Sequence, residues 1–126
     1  MKKIKLFALD KKDKKAVTLL RELGMPKNIA RTLMYLSHVD ECYTADIEHG
    51  TNLRQPEVSI AMRELRRRRW VQEEIQKKKG KGRPRYIYKP AMPLSEVLKN
   101  FEQEKLEEVK IVEKDIWELK NLIENR

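Results

Sequence analysis

Gln55, Ser59, Ile60 and Arg63 fall within nine residues, at spacings of 4, 1 and 3. On a helix whose Val58, Met62 and Leu65 face a core, these four side chains point outward. They combine an amide that both donates and accepts, a hydroxyl, a branched apolar surface and a planar cation. Such a set suits the reading of hydrogen-bonding edges and anionic oxygens rather than the breaking of bonds. Cations surround it. Arg54 stands just before, Arg66-Arg67-Arg68-Arg69 just after, and Lys77-Lys78-Lys79-Gly80-Lys81-Gly82-Arg83-Pro84-Arg85 follows within a few residues.

The overall charge places these clusters in proportion. The 126-residue chain carries 29 basic and 20 acidic side chains, a net charge of +9. Residues 1–15 hold +5 of net charge and residues 54–90 hold +9, while residues 16–53 and 91–126 are net acidic at −2 and −3. An excess confined to two blocks points to a surface for a polyanion, more than a uniformly high isoelectric point would.

Other chemistries find less support. His38, Cys42, Asp46 and His49 lie within twelve residues, and nitrogen and sulfur ligands suit zinc. Their spacings of 4, 4 and 3 cross a connector and enter a new helix, so neither a metal nor another cofactor is expected. There is no Gly-rich phosphate loop and no nucleophile motif, so no enzyme is expected. One cysteine excludes an internal disulfide, and a reducing cytoplasm is the default location. No stretch approaches the roughly 18 apolar residues of a membrane span.

The elements that must position these side chains are mostly helical. Residues 1–12 form a basic arm with an apolar patch at Ile4, Leu6, Phe7 and Leu9. Ala16, Val17, Leu20 and Leu23, widened by Leu19, mark a helix from Asp13 to Leu23 that Gly24 ends. Pro26 opens a second helix, with Ile29, Ala30, Leu33, Met34 and Leu36 buried, ending near Ser37. Residues 39–43 are a connector. Thr44 caps a short third helix that Gly50 stops. Thr51-Asn52-Leu53 is a turn, and Pro56 opens a fourth helix. Residues 70–76 and 84–89 are rich in β-formers and flank the basic tip, as two strands of a hairpin do.

Helix, helix, helix, turn, helix, hairpin is the layout of a winged helix-turn-helix domain. The expected fold is mainly α: three to four helices plus a two-stranded wing over residues 13–90, then a long C-terminal dimerisation helix over residues 91–126. A helix fits the major groove of B-DNA, and its exposed N-terminal turns approach base edges and phosphates. Gln pairs with adenine, Arg with guanine, and Ile contacts a thymine methyl. Glu57 either accepts from cytosine or only caps the helix. Of the four consecutive arginines, some reach phosphates, while others are solvated or pair with Glu64 or the acidic connector. At the wing tip, Lys81-Gly82-Arg83-Pro84-Arg85 resembles the core of an AT-hook, in which Gly permits close approach, Pro extends the path and Arg enters the narrow minor groove. The expected DNA contacts are therefore Arg54, Gln55, Ser59, Ile60, Arg63, Arg66 and Arg67 from the recognition helix (about 55–68), and Lys79, Lys81, Arg83 and Arg85 from the wing (77–85).

The C-terminal segment carries a second pattern. Val109, Val112, Ile116, Leu119 and Ile123 are spaced 3, 4, 3 and 4, as the seam of a coiled coil requires. Leu94, Leu98 and Phe101 form an earlier stripe, offset like a stutter, and Ile111, Trp117 and Leu122 widen the apolar face. A helix of this length cannot bury that seam on so small a domain. A second copy of the chain is the expected partner, through Leu98, Phe101, Val109, Val112, Ile116, Leu119 and Ile123.

Several stretches are similar to a known superfamily. Residues 53–65, Leu53-Arg54-Gln55-Pro56-Glu57-Val58-Ser59-Ile60-Ala61-Met62-Arg63-Glu64-Leu65, resemble the recognition helix of ArsR- and MarR-type bacterial and archaeal repressors, in which a Gln-Pro-x-Val-Ser run opens the helix and a Leu closes it. Leu23-Gly24-Met25-Pro26-Lys27-Asn28-Ile29-Ala30 resembles the second-helix entry of the archaeal sugar-responsive, TrmB-like regulators. Gly82-Arg83-Pro84-Arg85-Tyr86-Ile87-Tyr88 is similar to wings across the superfamily. The resemblance spans roughly residues 15–90. It implies a homodimeric transcriptional regulator on a pseudo-palindromic site in double-stranded DNA, with a small-molecule effector in some members. Beyond the DNA-binding domain and the long helix, no separate sensor domain is expected. Two departures stand out. Arg69 occupies the place before the wing where these families usually have Gly, and the paired-cysteine motif of the metal-sensing branch is missing. A low-specificity architectural DNA-binding protein and a winged-helix protein-interaction module are the alternatives.

Overall fold

The computed structural model describes residues 9–76 and 85–125. The chain divides between Pro93 and Leu94 into two units. The first contains α1 (Lys11–Glu22), α2 (Lys27–Leu36), β1 (Cys42–Tyr43), α3 (Thr44–Thr51), α4 (Gln55–Arg67), β2 (Val71–Gln76) and β3 (Arg85–Pro90); the second is α5 (Leu94–Glu124).

α1 begins two residues earlier than its apolar periodicity indicates, because its start is set by polar groups. The Asp10 carboxylate accepts from the Asp13 backbone N–H at 2.9 Å, and the Asp13 carboxylate accepts from the Asp10 N–H at 3.0 Å. This is a reciprocal capping box built from two aspartates. The backbone donation holds the Asp10 carboxyl below the usual range. Asp13 is 3% exposed, and its other oxygen lies 2.7 Å from His38 Nε2, just beyond α2. One buried carboxylate thus ties the start of α1 to the end of α2. Leu19 faces solvent and does not widen the buried face.

The core is layered on α2. Its Ala30, Leu33, Tyr35 and Leu36 are buried, with Val17 and Leu20 from α1 and Ile47 from α3. α4 contributes Val58, Ala61, Met62 and Leu65, at spacings that hold one helical face inward. The expected buried face of α4 is therefore the observed one, with Ala61 added. α3 runs one residue past Gly50, which is buried inside it, and stops at Asn52 in the left-handed conformation, φ 57°. Asn tolerates that geometry through its short polar side chain. Thr51 at this end is buried, and its carbonyl accepts from Arg31 Nε at 3.1 Å.

The sheet departs from the expected two strands. It has three, in the order β1-β3-β2, all antiparallel. Cys42 pairs with Tyr88 and Tyr43 with Ile87, while β2 and β3 run in register from Val71↔Pro90 to Gln76↔Arg85. Residues 42 and 43, expected as connector, form the third strand. A two-residue strand carries no period for a sequence pattern to detect, and only its partner across the chain makes it a strand. A third strand matters because an isolated two-stranded hairpin is marginal in water.

α5 is 31 residues long, about 46 Å at 1.5 Å per residue. Val97 and Phe101 are its buried side chains, and the Lys105 ammonium sits 5.2 Å from the Phe101 ring centroid. Along the rest of the helix Leu98, Leu106, Val109, Ile111, Val112, Ile116, Trp117, Leu119, Leu122 and Ile123 are all exposed.

Candidate nucleic-acid interface

The outer face of α4 is assembled from its first turn. Arg54 precedes the helix in extended backbone, and its N–H donates to Glu57 Oε1 at 2.9 Å. Glu57 Oε2 accepts from Asn28 Nδ2 at 3.4 Å. Of the two roles that the sequence offers Glu57, the structure shows the cap. Pro56 lies in the first turn, where its missing N–H costs nothing. With Val58, Ala61, Met62 and Leu65 inward, the expected residues Arg54, Gln55, Ser59, Ile60 and Arg63 are all exposed on one side. Gln55 Nε2 reaches Ser59 Oγ at 3.4 Å. Ile60 is 61% exposed and gives this face an apolar surface beside its polar groups.

The arginine run is not a uniform block of charge. Arg66 Nη1 donates to Glu73 Oε1 at 3.2 Å. Arg67 meets Glu64 with Nε at 2.9 Å and Nη2 at 2.6 Å, and Arg68 Nε reaches the same carboxylate at 2.9 Å. These arginines, led by Arg67, hold the Glu64 carboxyl down at about 2. Arg68 also lies 4.9 Å over the buried Trp70 ring, a cation–π contact. Arg69 differs. It is exposed, forms no ion pair among the described residues, and has φ 64°.

That φ belongs to a complete helix stop. Trp70 N–H donates to Leu65 O at 3.1 Å and Arg69 N–H to Arg66 O at 2.9 Å, the two bonds of a Schellman motif. The same pair closes α1: Met25 N–H to Leu20 O and Gly24 N–H to Arg21 O, both at 2.9 Å, with Gly24 at φ 103°. The helix-to-wing turn therefore has the usual geometry, with arginine in the glycine position.

The wing root is clamped across all three strands. Tyr43 of β1 donates its hydroxyl to Gln76 Oε1 of β2 at 2.8 Å, and Arg85 of β3 lies 4.9 Å over the Tyr43 ring. Lys89 Nζ pairs with Glu74 at 3.0 Å. Tyr88 is buried beside Glu73, and burial first, then that carboxylate, push its phenol up to about 12. Of the expected wing contacts, Arg85 is engaged with Tyr43, while Lys79, Lys81 and Arg83 lie outside the described residues. Tyr43 at the root of the hairpin and Arg69 after α4 stand beside the candidate contacts, and neither was singled out as one from the sequence. The first is visible only through strand pairing, and the second was marked by its departure from glycine.

The four residues considered for a metal do not come together. His38 is taken by Asp13, and an Asp46 oxygen accepts from the Tyr43 N–H at 2.9 Å. Cys42 is buried, and that burial pushes its thiol up to about 12. Among the described residues no three His, Cys, Asp or Glu side chains could hold a metal ion.

No protein-family model matches the sequence, and a comparison with curated proteins finds no relative. Among solved structures, the fold is similar to that of TrmBL2, an archaeal chromatin protein described as showing a novel mode of DNA binding. The likeness has a TM-score of 0.67 at 20% identity and covers 88% of this chain. This chain spans 40% of the length of that structure. Among the described residues, five helices, the last of them long, and a small antiparallel sheet make this a winged-helix fold.

Proposed function

We propose that this chain binds double-stranded DNA through α4 and the wing, as a homodimer joined by α5, and regulates transcription by recognising a specific sequence. The observation that carries this reading is the outer face of α4. Gln55, Ser59, Ile60 and Arg63 stand exposed over a buried stripe, on a helix whose width suits the major groove. Arg54 and Arg69 flank that face and supply phosphate contacts. The action is binding rather than catalysis, and its place is the cytoplasm. Among the described residues no helix is long and apolar enough to cross a membrane. The dimer rests on the exposed seam of α5.

Selection of bound sequences from a random duplex pool tests the reading. A palindromic motif is expected, with half-sites about 34 Å apart, one turn of DNA. Gln55→Ala combined with Arg63→Ala should flatten the preference by about 1–3 kcal/mol per lost base contact. Specificity that survives both substitutions would remove α4 as the reading face.

A second reading has its own support. TrmBL2 is a chromatin protein, and a low-specificity architectural role for this chain predicts similar affinity for selected and random duplexes with the same salt dependence.

A further inference from the structure

Thirteen cations lie between residues 54 and 90, and a count of them overstates what the helix offers to DNA. Arg67 grips Glu64 with two parallel bonds, at 2.9 and 2.6 Å, and Arg68 adds a third at 2.9 Å. A carboxylate held in an arginine fork has the geometry with which the same fork grips a phosphate. Glu64 lies one turn N-terminal to both arginines, at i,i+3 and i,i+4. It is also an acid near the C-terminal end of a helix, where the dipole disfavours negative charge, which offsets part of the small stabilisation that each such pair gives a helix. Its partners keep it ionised across the physiological range. Nearby, Glu73 accepts a single bond from Arg66 at 3.2 Å.

We propose that Glu64 is a specificity-determining residue, an internal substitute for phosphate that holds Arg67 and Arg68 back from the DNA backbone. The inference rests on the DNA-binding reading above. Its logic is a difference between two affinities. Phosphate contacts supply essentially all sequence-independent binding, whereas base contacts discriminate. Engaging two arginines internally weakens binding to every sequence alike and leaves Gln55, Ser59, Ile60 and Arg63 to decide between sequences. Arg66 and Arg67, which sequence reasoning counted as DNA contacts, become a reserve.

Glu64→Gln in the full chain tests this. Binding to a random-sequence duplex is measured by fluorescence anisotropy at several salt concentrations between about 50 and 200 mM, the range over which phosphate contacts are resolved. Glu118→Gln on α5 makes the same change in net charge without releasing an arginine. Glu64→Gln should tighten random-duplex binding about tenfold, the scale of one charge-assisted hydrogen bond. It should also steepen the log–log salt slope by about 1–2, since each added phosphate contact contributes about 0.9. Glu118→Gln should do neither. Arg67→Ala provides a second readout that does not depend on the fold tolerating a change at Glu64: on the native background it should change random-duplex affinity less than twofold. Glu64→Gln binding no tighter than Glu118→Gln, or Arg67→Ala costing tenfold, overturns the proposal while DNA binding stands. A native chain that shifts no duplex at the lowest salt overturns both.

Discussion

Arg69 and Gly24 occupy the same position in the same motif, and only one of them suits it. A left-handed backbone costs an L-residue with a Cβ about 1–2 kcal/mol, partly offset by glycine's greater entropy in the unfolded chain, about 0.5–1 kcal/mol. Arg69→Gly should therefore stabilise the first unit by up to about 1 kcal/mol, raising its melting temperature by several degrees for a domain of this size. The same substitution removes an exposed cation beside the α4 face and should weaken binding to all duplexes about equally, with a salt slope shallower by about 1. Thermal melts and salt titrations of one variant check both. A melting temperature that falls would show that arginine bears no strain there. Strain retained beside a binding face is what a functional demand on side-chain charge produces.

At the scale of elements, local rules account for the helices and distant pairing accounts for the sheet. The start of α1 depends on Asp10 and Asp13 more than on apolar period. Asp10→Ala should cost about 1 kcal/mol, the usual worth of a side-chain cap, read as a lower midpoint in urea with DNA affinity unchanged; an unmoved midpoint would mean that Asp13 and His38 hold the helix start alone. The buried stripe of α4 was legible because Val58, Met62 and Leu65 repeat at helical spacing, and its outer face followed by subtraction. The wing was legible as two β-rich runs around a basic tip. What was not legible depends on partners far apart in sequence. Cys42 and Tyr43 become a strand only opposite Tyr88 and Ile87. Gly50 reads as a stop, but packing buries it inside α3 and moves the stop to Asn52. Glu57 was legible as a cap, which its bond from the Arg54 N–H shows, but its contact with Asn28 of α2 was not. The arginine run showed its charge and offered Glu64 as one partner, which Arg67 and Arg68 take, but not Glu73, which only the fold brings to Arg66.

At the scale of the whole molecule, a basic first unit is followed in the chain by an acidic helix. α5 exposes Val109, Val112, Ile116, Leu119 and Ile123 along one line, the seam that the proposed dimer would close. Ile116 lies at its middle, and Ile116→Asp should convert dimer to monomer in sedimentation and lower affinity for a two-half-site duplex far more than for a single half-site. An unchanged sedimenting mass would exclude the seam as the contact. The sheet order carries a consequence for how such a chain acquires its shape. The α1–α2 pair and the β2–β3 hairpin join neighbours in sequence, whereas the pairing of Cys42 with Tyr88 closes a loop around α3, α4 and β2. Long loops close slowly, because their entropy must be lost before any contact compensates for it. The pairing of β1 with β3 should therefore form after the β2–β3 hairpin that it extends, and the loop it closes should set part of the folding rate of the first unit.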